Sequence, residues 1–352
     1  MKQIKLNYLF IALAFTAVLA SCHKDKQTEP VDNPTAERAG IYILNQGGIG
    51  HNNSTLTYYD YTTKQLVPDQ FTVANTEKLG DTGNDLGIYG SKMFIVVNES
   101  GRIDVVDPKS AKIMKQITLD QPRSVVFYKS NALVTSYDGT VSVIDTALLT
   151  ITKTITVGRN PEQMAISNGK LYVANSGGLT FGNPDKTVSV VDLNTLTEIK
   201  KIDVIADPVS IIADAYNNIY VLSYGNYDDI APGMTIIDAK TDIVKSGPSV
   251  SLGYSIPIYT QGDFVYYATA DNKIAVYNAK TQTSERADFI TDNTSLQIPF
   301  AISGDPQTGE IFITDAVDYS SDGTLYAFDK NGKKEYTIRV GISPGKITLL
   351  NK

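Results

Sequence analysis

The sequence predicts an all-β fold: a seven-bladed β-propeller with four antiparallel strands per blade, closed by the C-terminal strand completing the first blade. Three observations predict it. One strand pattern is written seven times at a mean spacing of about 45 residues, prolines recur where inner strands should begin, and the chain ends on a strand with no blade of its own.

The pattern opens with short apolar strands at residues 41–44, 93–96, 132–135, 171–174, 219–222, 265–268 and 311–314. They are rich in Ile, Val and Tyr, which suit a pleated, largely buried surface. Each is followed by a polar loop and a further strand ending in an acid or amide: Asp60, Asp107, Asp145, Asp192, Asp238, Asn278 and Asp329. Val141-Ser142-Val143-Ile144-Asp145 and Val188-Ser189-Val190-Val191-Asp192 are nearly the same string. A turn follows most of these acids, so their expected role is to accept hydrogen bonds from turn amides, not to catalyse.

Pro122, Pro161, Pro208, Pro257, Pro299 and Pro344 mark the inner strands. Proline lacks the ladder donor and belongs at a strand start. Residues 344–350 read as an inner strand with no blade after it, while the first blade, from Gly40, has no inner strand before it. Pairing the two closes the ring and removes the free edges of an open sheet. Tryptophan is absent, which excludes the tryptophan-aspartate repeat class, and no helical period is visible beyond the N-terminal leader.

That leader is a basic start, Met1-Lys2-Gln3-Ile4-Lys5, and an apolar run over about residues 8–19. The run is shorter than the roughly twenty residues that span a bilayer. Leu19-Ala20-Ser21-Cys22 follows, and small residues before a cysteine mark a cleavage site. Residues 1–21 are therefore expected to be a signal peptide, 22–39 a flexible tether, and 40–352 the propeller. The Leu-Ala-Ser-Cys string is similar to the bacterial lipobox, which implies lipidation of Cys22 and membrane attachment through the lipid alone. His23 after that cysteine implies outer-membrane sorting, and the nearby Lys24-Asp25 pair resembles the surface-export signal of Bacteroidota lipoproteins.

Cys22 is the only cysteine, so the fold is expected to stand without disulfides on a large core. Without Lys2 and Lys5, 29 basic residues face 38 acidic ones, a net charge of −9. Such a surface disfavours nucleic acid and anionic lipid headgroups as partners.

Enzyme motifs fail in turn. Only two histidines occur, His23 and His51, so a Ser-His-Asp relay has at most one candidate base. There is no nucleophile-elbow or phosphate-loop motif, and no cysteine–histidine spacing for zinc. Asp315, Asp318 and Asp322-Gly323 do not match the calcium-loop spacing. No catalytic residue, metal or cofactor is expected.

Antiparallel strand order gathers the loops between second and third strands, with the inter-blade connections, at one end of the ring. That end carries the long loops 45–55, 175–186, 223–233 and 315–323. The candidate ligand-binding residues are Asn45, His51, Asn175, Phe181, Tyr224, Tyr227, Asp315 and Tyr319 from the long loops. Asn98, Glu99 and Tyr137 come from short loops, and Arg123, Glu162, Tyr254 and Gln297 from the connections. Gln163 lies beside Glu162. Aromatic, amide-rich loops on one face of a rigid scaffold are a common way to build a binding site. Many of the 21 tyrosines, among them Tyr172 and Tyr220, are expected instead to pack between blades.

Gly40-Ile41-Tyr42-Ile43-Leu44-Asn45-Gln46-Gly47, then Asn53-Ser54-Thr55-Leu56-Thr57-Tyr58-Tyr59-Asp60, Leu79-Gly80-Asp81 and Val96-Val97-Asn98-Glu99-Ser100-Gly101 resemble the YncE-like propeller lipoproteins of Bacteroidota. Within that group the chain is similar to the BtuG surface proteins. The resemblance implies capture of cobalamin, or a related corrinoid, at the cell surface and its delivery to a BtuB-like TonB-dependent outer-membrane transporter. It covers the chain from the lipobox to the end. A corrinoid is a broad disc fringed with amides, and a funnel of Tyr and Asn side chains on the loop-heavy face would bury its apolar area while pairing its polar edges. Alternatives are a propeller for a surface glycan or peptide, an interaction scaffold, or a calcium-dependent lactonase in which Glu99, Asn175 and Asp315 converge.

Overall fold

The computed structural model describes residues 36–180 and 182–352. The expected signal peptide, Cys22, His23, the tether up to residue 35 and Phe181 lie outside the described residues.

Seven separate four-stranded antiparallel sheets form the blades. In chain order, the inner strands of blades two to seven are Gly83–Tyr89, Pro122–Tyr128, Pro161–Ser167, Pro208–Ala213, Ile258–Gln261 and Pro299–Gly304, and Pro344–Asn351 is the inner strand of blade one. Five of the seven begin on the proline that marks them. Blade six begins one residue after Pro257, and blade two begins on Gly83.

Closure is as the sequence predicts. Pro344–Asn351 pairs antiparallel with Arg38–Asn45, with Ile41 opposite Leu349 and Ile43 opposite Ile347. The C-terminal strand thus joins blade one, whose remaining strands come from the other end of the chain. The ladder starts at Arg38, within the stretch assigned to the tether. The Arg38 guanidinium grips the Asp305 carboxylate of blade seven at 2.9 and 3.0 Å, and the Lys352 N–H donates to the Glu37 carbonyl at 2.9 Å.

The core lies between neighbouring blades. Tyr172 of blade four, for example, shares a cluster with Ile211, Ile219 and Val221 of blade five. Tyr42, Tyr172 and Tyr220 are fully buried, as the sequence expects of strand tyrosines. Their hydroxyls donate to the Pro108 carbonyl (3.0 Å), Asp242 (2.6 Å) and Asp214 (2.9 Å), so all three are paired despite their burial.

The repeated acids hold turns. Asp192 accepts from the Asn194 and Thr195 amides at 2.8 and 2.9 Å, and Asn278 does the same for Lys280 and Thr281. These amide donors hold the Asp192 carboxyl below its ordinary range.

One element departs from the all-strand expectation. A helix, Gln70–Asn75, follows the two-residue outer strand Leu66–Val67. Asp69 caps it through the Thr72 amide, and Phe71 packs with Tyr42, Leu56 and Leu79. Six residues are under two turns, too few for a period to be visible in sequence.

Candidate functional site

The loop-heavy end of the ring divides the predicted site residues into two groups with different work. Asn45, Asn98, Asn175 and Asp315 terminate or follow second strands and are almost completely buried. Asn175 Nδ2 donates to Thr187 Oγ1 (3.0 Å) and Ser189 Oγ (2.9 Å), while its Oδ1 accepts the Gly158 N–H (3.0 Å). Asn45 repeats this with Thr55, Thr57 and the Gly341 N–H. A Cβ on Gly158 would lie 2.3 Å from Asn175 Cγ, so only glycine fits there. Asn98 donates to the Pro122 carbonyl at 3.1 Å. Asp315 accepts the Gln297, Ile298 and Val317 amides at 2.8 to 2.9 Å.

These four residues belong to the scaffold, which corrects the expectation of an asparagine-lined funnel. The ladder stops where a second strand ends, and the amides of the adjoining connection need acceptors that a short polar side chain supplies. Asn175 and Asp315 are therefore occupied by backbone and side-chain partners, while Glu99 is exposed. Among the described residues no group of three or more His, Cys, Asp and Glu side chains is placed to hold a metal ion. His51 and Gln297 are exposed on their loops.

The second group comes together. On blades three and four the Arg123 guanidinium donates to Glu162 (2.9 Å) and to Asn84 Oδ1 (2.6 Å), and lies 4.6 Å over the Tyr137 ring. The Tyr137 hydroxyl donates to the other Glu162 oxygen at 2.5 Å. Burial works against the Arg123 charge, and the adjacent Glu162 carboxylate more than offsets it. Beside this pair, from blades five and six, Tyr227 and Tyr254 stack with centroids 5.4 Å apart and planes 10° from parallel. Tyr224 lies 6.4 and 6.0 Å from them, tilted. Tyr224 also feels the charges of Glu162 and Asp207 and the Tyr319 hydroxyl across the rim, although burial is the main reason its own hydroxyl is raised. Tyr319 packs edge-on against Phe300 at 5.6 Å.

Tyr227, Tyr254 and Tyr319 remain 48%, 57% and 44% exposed, a large share for aromatic rings clustered at one end. The floor beneath is polar and buried.

Asn84, Phe300 and Asp207 complete this site and were not picked out by sequence reasoning. Asn84 and Phe300 follow the first residue of their inner strands just as Arg123 and Glu162 do, so the register of the inner strands was the available signal. Asp207 is 3% exposed, and its carboxylate accepts from the Tyr227 hydroxyl at 3.1 Å. Burial pushes its carboxyl up to about 6, against the smaller lowering effect of Tyr227.

A cavity of about 820 Å³ lies at the opposite end of the ring, where the inner strands finish. Tyr89, Lys109, Tyr259, Gly304, Leu349 and Asn351 are among its lining. The aromatic rim and this cavity are therefore at different ends of the ring.

Known structures share the fold. A hypothetical selenium-binding protein from Sulfolobus tokodaii superposes with a TM-score of 0.67 at 10% identity, covering 90% of this chain and 94% of that one. A quinonprotein alcohol dehydrogenase-like protein from Bacteroides thetaiotaomicron gives 0.65 at 16%, covering 89% and 78%. The hydrazine synthase of Kuenenia stuttgartiensis gives 0.63 at 15%, covering 77% and 95%. No curated protein matches the chain. The family model described as a domain of unknown function (DUF5074) matches residues 39–341, and the chain belongs to that family.

Proposed function

We propose that this protein is a surface-exposed, lipid-anchored binding protein of the outer membrane and not an enzyme. It captures cobalamin or a related corrinoid on its loop-heavy face and passes it to a BtuB-like TonB-dependent transporter. The observation that carries the binding role is the pair of stacked, half-exposed rings of Tyr227 and Tyr254 beside the largely buried Arg123–Glu162 pair. Broad aromatic faces suit the apolar surface of a flat macrocycle, and the hydroxyls and carboxylates beneath suit its amide edge. The choice of a corrinoid rests on the resemblance of the 40–60 and 96–101 stretches to the cobalamin-capturing propellers. Transfer requires the transporter to share or compete for the same face, so that face points toward the barrel.

The test is retention of colour. After incubation with cyanocobalamin and desalting, the protein is expected to keep a red chromophore, read as a visible absorption spectrum and quantified by titration calorimetry. Colourless protein, with no heat at micromolar concentration, rules the corrinoid out. The same paired tyrosines also make a platform for a sugar ring, which is the second reading. Saturable binding of a surface oligosaccharide by a colourless protein would favour it.

A further inference from the structure

Among the described residues six acids are almost fully buried: Asp85, Asp104, Glu162, Asp207, Asp305 and Asp315. Four have a basic partner: Lys346 lies 2.8 Å from Asp85, Arg102 3.1 Å from Asp104, Arg123 2.8 Å from Glu162 and Arg38 2.9 Å from Asp305. Asp315 has three backbone amides instead. Asp207 has neither. Its carboxylate receives one hydrogen bond, from the hydroxyl of Tyr227. A carboxylate can accept about four hydrogen bonds, and a buried charge left so poorly compensated is costly unless something outside the chain completes it.

The surroundings say what would. Tyr224, Tyr227 and Tyr254 stand together above Asp207, and their ring faces attract cations. A hard metal ion needs several oxygen ligands, and no such acid cluster exists among the described residues. An organic ammonium needs one carboxylate and aromatic faces, which is the set present. We propose that Asp207 with Tyr224, Tyr227 and Tyr254 forms a subsite for a small organic ammonium. This goes beyond the corrinoid reading and does not depend on it, because it concerns the charge that the rim accepts and not the rest of the molecule.

The titratable groups facing Asp207 are Tyr227, Glu162 with its partner Arg123, Tyr137, Tyr224 and, through its backbone carbonyl, Asp185. The Asp207 carboxyl sits near 6 because it is buried, so the ionised form that would hold a cation is depleted about tenfold at pH 5.

The experiment titrates the whole protein with n-butylammonium and, separately, with the neutral n-pentanol, followed by tyrosine fluorescence at pH 8 and pH 5. Saturable ammonium binding is expected in the millimolar range at pH 8, about tenfold weaker at pH 5, with pentanol at least tenfold weaker throughout. Asp207→Asn, with its fold checked by thermal melting, is expected to lose tenfold or more for the ammonium and nothing for pentanol. No saturation by 50 mM, equal affinity for pentanol, or an Asp207→Asn protein that binds like the parent overturns the subsite. The pH comparison uses the unaltered protein, so the result stands even where the variant folds poorly. Cyanocobalamin retention is scored independently: colour without ammonium binding removes the subsite alone, and ammonium binding without colour removes the corrinoid alone.

Discussion

The Tyr227 hydroxyl lies 3.1 Å from Asp207 Oδ2 and ties an exposed aromatic ring to a buried carboxylate. The ring is then held parallel to Tyr254, with the second tyrosine reaching the rim from the next blade. Orientation of the platform and electrostatics of its floor are thus one arrangement, and changes to either are expected to reach the other.

Burial raises the Asp207 carboxyl from 3.8 to about 6 in the folded protein. The folded state therefore holds an extra proton between about pH 4 and 6, and this group's contribution to stability declines as pH rises through that window. At pH 7 the ionised carboxylate costs stability. Asp207→Asn is expected to stabilise the free protein by roughly 1–2 kcal/mol at pH 7 and to change little at pH 4. Thermal melts at the two pH values check this, and a variant that melts lower at pH 7 contradicts it.

Arg123 neutralises Glu162, which is 6% exposed. Arg123→Met leaves that carboxylate without a cation and is expected to cost about 3 kcal/mol in urea denaturation. The double variant Arg123→Met, Glu162→Met removes the stranded charge and is expected to recover at least half of the loss. A double variant worse than the single one would show that the ion pair is not what holds this corner.

Asn175 satisfies three groups at once. Asn175→Ala is expected to cost roughly 2–3 kcal/mol by leaving buried donors and acceptors unpaired. It should leave ligand retention unchanged in the protein that remains folded. Loss of binding with an unaltered melting temperature would instead place Asn175 in the site.

The rim is expected to carry the binding. Tyr227→Ala with Tyr254→Ala should reduce cyanocobalamin affinity at least tenfold, since two aromatic anchors at an interface each contribute on the order of 1 kcal/mol or more. Lys109→Glu, at the mouth of the cavity at the other end, should not change it. The reverse pattern would move the site to that cavity. Titration calorimetry on both variants separates the two.

Much of the architecture could be read directly from residues. A recurring strand pattern, a proline at most inner-strand starts and an unpartnered final strand leave few solutions other than a closed ring, because each depends on local backbone chemistry or on strands that must find partners. The short helix at Gln70–Asn75 escaped for the same reason: it is too brief to write a period into the chain.

The site was legible only in part. Loop position alone made Asn175 and Tyr224 look equivalent, since both follow a second strand into a long loop. Folding separates them. Asn175 turns inward to serve the Gly158 amide, while Tyr224 joins rings from the Tyr227 loop and from the connection carrying Tyr254. Nothing in the sequence sets Asp207 apart, and its deficit of partners exists only relative to atoms that other blades bring near. Local propensity and repeat spacing determined the ring and which end carries the loops. Which side chains face one another across that end, and which buried charge is left short of partners, was decided by inter-blade packing, because those contacts join residues far apart in the chain.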